Sequence, residues 1–116
     1  MKKINVIQHN YDFESIIKNN RPFKTRSFII YLDSNFNDEY YKFGISVGKK
    51  VGNAVMRNRI KRQIRSIIDK KNYKNGTKCI IIVRKEILSK SFQEMENELF
   101  FAFDKIKIIK EQDDEK

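Results

Sequence analysis

The chain has 116 residues, 40% of them hydrophobic, with nine Phe and five Tyr, enough for one domain with a small core. Its formal charge of +10 at pH 7 points to polyanionic partners. No apolar run approaches the ~18–20 residues of a membrane span, and the start, MKKINVIQHNYDF, lacks the apolar core of a secretory signal, so a cytoplasmic chain without membrane contact is expected.

Asn10 to Asn20 is predicted to be the first helix: Asn10 can cap it, and Phe13, Ile16 and Ile17 share one face. Arg21-Pro22 should end it, because proline disfavours helical backbone in the residue before it. Ser27 to Asp33, SFIIYLD, is rich in strand formers. SNFNDEY should turn the chain. Tyr41 to Val47 then alternates, with Tyr41, Phe43, Ile45 and Val47 facing one way and Lys42, Gly44 and Ser46 the other. This second strand is expected to run antiparallel to the first. Gly48 and Gly52 flank Lys49-Lys50 at the entrance to a long helix, capped by Asn53 and running to Asp69 or Lys70.

Asn75-Gly76 is a turn signal. Lys78 to Arg84 holds Ile80, Ile81, Ile82 and Val83 without interruption, as in a central strand covered on both faces. Cys79 within it reads as a small buried thiol rather than a nucleophile. One cysteine and one histidine, His9, fall short of the about four ligands of a structural zinc site. Ser91 and Glu94 have capping-box spacing, and Phe92, Met95, Leu99, Ala102 and Phe103 continue a helical stripe to about Lys105. The order α-β-β-α-β-α defines an α+β chain with one domain, residues 1–110, and an acidic tail, 111–116, expected to be disordered.

Charge is concentrated from Lys49 to Lys71. Nine bases against the single acid Asp69 leave +8 there, out of +10 for the whole chain. Advancing about 100° per residue from Met56 puts Met56, Ile60, Ile64, Ile67 and Ile68 on a core side. Asn58, Lys61, Arg62 and Arg65 gather opposite, Arg59 stands at the edge, and Arg57 falls on the flank of the apolar arc. The outer face is nearly all one sign, without acids for i,i+4 pairs. Arginine, the better bidentate phosphate ligand, dominates it. Lys49 and Lys50 add charge at the helix start, where free N–H groups also favour anions. Residues 86–116 hold nine acids and five lysines, so anion contact should be polarised toward the long helix. Two strands precede that helix, unlike a DNA-reading helix-turn-helix; RNA bound by shape and phosphate contact is the expected partner, not DNA.

The stretch FGISVGKKVGNAVMRNRIKRQIR resembles the signature of the protein component of bacterial ribonuclease P, a pattern like S-V-S-K-K-x-G-N-A-V-x-R-N-x-x-K-R. The match runs from Ser46 to Arg62, with Gly48 where serine is usual. The resemblance implies an α/β sandwich whose small, mainly antiparallel sheet has one parallel pair joined by a left-handed crossover helix. It implies an accessory subunit, with no catalytic or metal-binding residue of its own, assisting an RNA that holds catalytic Mg²⁺ and removes the 5′ leader of precursor tRNA. The implied contacts to that RNA, one protein to one RNA, are Lys49, Lys50, Asn53, Arg57, Asn58, Arg59, Lys61, Arg62 and Arg65. The implied leader cleft involves Phe13, Ile17, Ile29 and Tyr31, with Ile17 where the family has a second aromatic. Read from the residues alone, Phe13 and Tyr31 are also candidates for the core, and Phe13 suits either place equally.

Two other readings follow from the same charge map. One is a ribosome-associated RNA-binding module of similar layout. The other is a protein-only nuclease built on Asp12, Glu14, Asp33, Asp38 or Glu39, though no two of these show a metal-site spacing within a structured motif.

Overall fold

A computed structural model describes residues 1–34 and 38–110. The expected tail, 111–116, and part of the turn expected between the first two strands lie outside them. The elements are α1 (Asn10–Asn19), β1 (Pro22–Lys24), β2 (Phe28–Ser34), β3 (Lys42–Val47), α2 (Ala54–Ile68), β4 (Thr77–Val83) and α3 (Phe92–Lys105). The strands form one sheet in the order β1-β2-β4-β3.

β4 lies between β2, to which it is antiparallel, and β3, to which it is parallel. The isoleucine run explains its position. Cys79, Ile81 and Val83 enter the core on one face, while Ile80 is equally buried on the other, so the strand must be covered twice. β2 and β3 do run in opposite directions, as expected, but they are not a hairpin. Burying β4 on both faces places it between them, and α2 makes the crossover that a parallel pair requires.

β1 is an additional edge strand, paired with β2 from Pro22↔Tyr31 to Lys24↔Ile29. At three residues it is too short for alternation to reveal. A proline is tolerated there because an edge strand has N–H positions that donate to no neighbour. The β1–β2 connection is tied to α3: one carboxylate oxygen of Glu98 accepts from Thr25 Oγ1 at 2.5 Å and from Ser27 N at 2.7 Å.

α2 and α3 cover one face of the sheet. Ile60, Ile64, Ile67 and Ile68 from α2, and Met95, Leu99, Ala102 and Phe103 from α3, pack there with Phe28, Ile30, Phe43 and Ile81. Each fully buried isoleucine contributes up to about 1.5–3 kcal/mol. Tyr41, Phe43, Tyr73 and Phe103 make edge-on and tilted ring contacts at 4.8–5.8 Å between centroids. The Tyr73 hydroxyl donates to Ile68 O at 2.8 Å, closing the C-terminal end of α2. Gly76 adopts φ 81°, the geometry that the Asn75-Gly76 signal requires.

α1 lies on the opposite face, over a smaller cluster of Ile7, Ile16 and Ile80, with Phe13, Ile17, Tyr31 and Ile82 partly buried around it. Three local expectations change. His9, not Asn10, occupies the N-cap of α1, without a side-chain cap bond. Met56 is 39% exposed, in the first turn of α2, and does not join the core. Phe92 is also exposed and lies beneath the Lys70 ammonium, 5.4 Å from its ring centre.

Candidate nucleic-acid interface

β3 leads directly into the basic region. After Val47 the chain turns, with Val51 N donating to Gly48 O at 3.1 Å. Val51 is buried and anchors this loop, while Lys49 and Lys50 are exposed. Asn53 caps α2 as expected: its Oδ1 accepts from Met56 N at 2.9 Å, and its backbone carbonyl accepts from Arg57 N at 2.9 Å. The first bond satisfies a donor that a helix start otherwise leaves free, and the second is the first backbone bond of the helix.

From there the helical period sorts the residues. Asn58, Arg59, Arg62 and Arg65 are exposed, and Arg57 and Lys61 are half-buried on the flanks. Arg57 is half-buried, and its Nε is shielded from solvent without meeting an acceptor among the described residues. A shielded, unpaired guanidinium nitrogen is costly unless a partner supplies the acceptor.

The ion pairs among the described residues are Met1–Asp69 through the terminal ammonium, Lys70–Glu96, Lys78–Asp38 and Arg84–Glu86. None of them includes Lys49, Lys50, Arg57, Arg59, Lys61, Arg62 or Arg65. The nine bases of the sequence run therefore divide by use. Lys70 and Lys71 turn toward α3: Lys70 bonds Glu96, holding that carboxyl below its usual range, and Lys71 lies 5.1 Å from the Phe100 ring centre. The other seven, five exposed and Arg57 and Lys61 half-buried on the flanks, have no carboxylate partner among the described residues.

The second surface lies on the other face of the sheet. Phe13 and Ile17 of α1, Tyr31 of β2 and Ile82 of β4 are all partly buried around Ile7, Ile16 and Ile80. Ile29 is half-buried and shares the strand face of Tyr31, since Ile29 pairs with Ile82 and Tyr31 with Ile80. It stands outside the packed cluster. Sequence reasoning did not assign Ile80 and Ile82 to this cleft, although alternate residues of a two-sided strand must face it. Asp12 and Glu14 lie on α1, Asp33 on β2, and Asp38 on the turn paired with Lys78 at 3.3 Å. Among the described residues no three His, Cys, Asp or Glu side chains gather as a metal-binding group.

Fold and surface together define a small α+β protein whose parallel strand pair is bridged by a helix with a cationic face that has no carboxylate partner among the described residues. The family model for ribonuclease P matches residues 1–107. The ribonuclease P protein component of Mycoplasma mycoides subsp. mycoides SC is 43% identical over 114 residues, covering 96% of this chain and 98% of that one. That of Bacillus pumilus is 36% identical, covering 97% and 96%. The chain belongs to the ribonuclease P protein family. The solved ribonuclease P protein of Staphylococcus aureus superposes with a TM-score of 0.82 at 31% identity, covering 91% of this chain and 98% of that one. The Thermotoga maritima protein has the same fold, with a TM-score of 0.77 at 24% identity over 85% and 94% of the two chains. No helix among the described residues is long and apolar enough to cross a membrane.

Proposed function

We propose that this subunit binds the ribonuclease P RNA through α2 and its entrance loop, and holds the leader of precursor tRNA in the cleft beneath α1. The observation that carries the reading is the set of seven cations without carboxylate partners among the described residues, one of which, Arg57, also has a shielded Nε without an acceptor there. Lys49, Lys50, Arg57, Arg59, Lys61, Arg62 and Arg65 would neutralise RNA phosphates, releasing counterions. Asn58 would add a neutral hydrogen bond, and Asn53 would fix the direction of the helix start.

In the cleft, Phe13 and Tyr31 offer aromatic surface to single-stranded bases, and Ile17 and Ile29 offer apolar walls. Stacking of this kind contributes ~1–3 kcal/mol per base with little sequence preference. Binding energy gained from the leader is absent in mature tRNA, so it favours precursor over product. Hydrolysis itself belongs to Mg²⁺ held by the RNA, in a cytoplasmic complex of one protein and one RNA. This chain's part is to bind and orient.

Reconstitution with the cognate RNA at physiological Mg²⁺ tests the reading. Cleavage of precursor tRNA should rise when protein is added, and unchanged cleavage would refute it. Recovery of ribosomal RNA alone in a pull-down would favour the ribosome-associated alternative. Cleavage by purified, RNA-free protein would favour a protein-only nuclease.

A further inference from the structure

Gly44 lies in the middle of β3, opposite Ile80 of β4. A glycine weakens a strand by adding chain entropy and removing a packing group. The backbone does not require one here. Among the described residues the glycine with positive φ is Gly76, and Gly44 is ordinary extended strand. Space requires it instead. A Cβ at position 44 would stand 2.5 Å from Phe13 Cζ and 3.0 Å from both Phe13 Cε atoms. Carbon atoms pack at about 3.5–4.0 Å. Gly48, the residue after β3, would meet nothing within 4 Å, and Gly52 would meet the Met56 side chain at 2.9 Å, so of these three positions Gly44 is the one where an aromatic ring fills the space.

The three distances also fix how the ring lies. The two Cε atoms are equidistant and only slightly farther than Cζ. An approach in line with the ring's tip would leave them much farther away. The glycine therefore meets the face of the ring at its para end, and Phe13 lies flat on β3. One face rests on the sheet. Phe13 as a whole is half-buried, and Ile17, Tyr31 and Ile82 are partly buried around the same small cluster.

We infer that Gly44 is a positioning residue for leader recognition: the missing side chain is the seat that holds the Phe13 ring flat against the cleft floor, at the depth where a leader base can stack on it. This rests on the reading of the α1 cleft as the leader site. A methyl group at position 44 would have to lift the ring by about 1 Å to restore normal contact. That displacement narrows the cleft and tilts the stacking surface, and misplacement on this scale is expensive in a preorganised site.

The test uses the reconstituted holoenzyme and measures the ratio of affinities for leader-bearing precursor and mature tRNA. Gly44→Ala should lower this ratio about tenfold, within the range set by loss of one base–aromatic stack, and leave mature tRNA affinity unchanged. Phe13→Ala should do the same. In the double variant the added methyl meets no ring, so the ratio should match that of Phe13→Ala alone. A wild-type ratio in Gly44→Ala, or additive losses in the double variant, would overturn the inference. If wild type itself shows no preference for the leader, the cleft reading fails and the inference falls with it. A wild-type preference that Phe13→Ala abolishes and Gly44→Ala spares refutes the seat alone. Should Gly44→Ala fold poorly, the comparison moves to Phe13→Leu, whose shorter side chain leaves room for the methyl. Gly44→Ala should then cost no melting temperature in that background, and an equal cost in both backgrounds would refute the seat.

Discussion

The division of the basic run into seven cations without a carboxylate partner among the described residues and two lysines turned toward α3 makes a quantitative prediction. If each of Lys49, Lys50, Arg57, Arg59, Lys61, Arg62 and Arg65 neutralises one phosphate, log affinity for the ribonuclease P RNA should fall with log salt at a slope of about −5 to −6, at ~0.7–0.9 per contact. Raising salt from about 50 to about 200 mM would then weaken binding roughly 10³-fold or more. Replacing Arg59, Arg62 and Arg65 together by alanine leaves four contacts and a slope near about −3 to −4. These three side chains are exposed and carry no core contact, so the melting temperature should hardly change. The matched control is Lys70→Ala with Lys71→Ala. These lysines are engaged by Glu96, Phe92 and Phe100, so their loss should lower the melting temperature and leave the slope unchanged. Filter binding or fluorescence titration across a salt series, with thermal unfolding in parallel, reads both quantities. Equal slope changes in the two variants would refute the division, and an unchanged slope in the triple variant would remove the outer face of α2 from the interface.

Three further outcomes are expected. Asn53→Ala removes the side-chain acceptor for Met56 N and should cost about 0.5–2 kcal/mol in a denaturant titration, with RNA affinity falling as the first turn frays. Glu94 is held below the ordinary carboxyl range, first by the Ser91 backbone N–H and then by the Ser91 side chain. A carboxyl depressed in the folded state stabilises above its unfolded pKa of about 4.3, and that contribution disappears as pH falls through the folded value. The melting-temperature difference between wild type and Glu94→Gln should therefore shrink below about pH 4.3, and a constant difference would refute the charged cap. Cys79 is fully buried and burial pushes its thiol up, so it should resist alkylation at neutral pH until the protein unfolds; rapid labelling of native protein would contradict this.

How much of the molecule the sequence discloses depends on which interactions are local. The Asn53 cap, the Ser91–Glu94 capping box and the Gly76 turn are set by neighbours within a few residues, and all three stand as the pattern indicates. The isoleucine period of α2 similarly identifies its buried side. Partner choice between strands is not local: the alternation in β3 fixes which face is buried but not that β4 inserts beside β2. Phe92 has the right period for a core position, yet its apolar surface is satisfied by a lysine stem and ammonium from another helix. Met56 has the right angle but sits in the first turn of α2 and stays exposed. Gly44 appears in the sequence only as a polar-side member of an alternating strand, because the reason for it is a ring 31 residues earlier in the chain.

β3 links the two proposed surfaces through one covalent element. On the α1 side it supplies the Gly44 floor of the cleft. At its C-terminal end it becomes the Gly48–Asn53 loop that starts the cationic helix. Its register against β4 runs without interruption from Lys42↔Lys78 to Val47↔Val83, so the distance along the strand from cleft floor to helix start is set by sheet hydrogen bonds rather than by a flexible linker. RNA held on α2 and a leader held under α1 would therefore keep a fixed spacing. Preorganisation of that kind reduces the entropy lost when the second contact forms. On the proposed function, a domain with a small core could serve two RNA segments because the sheet that buries the isoleucines sets the spacing.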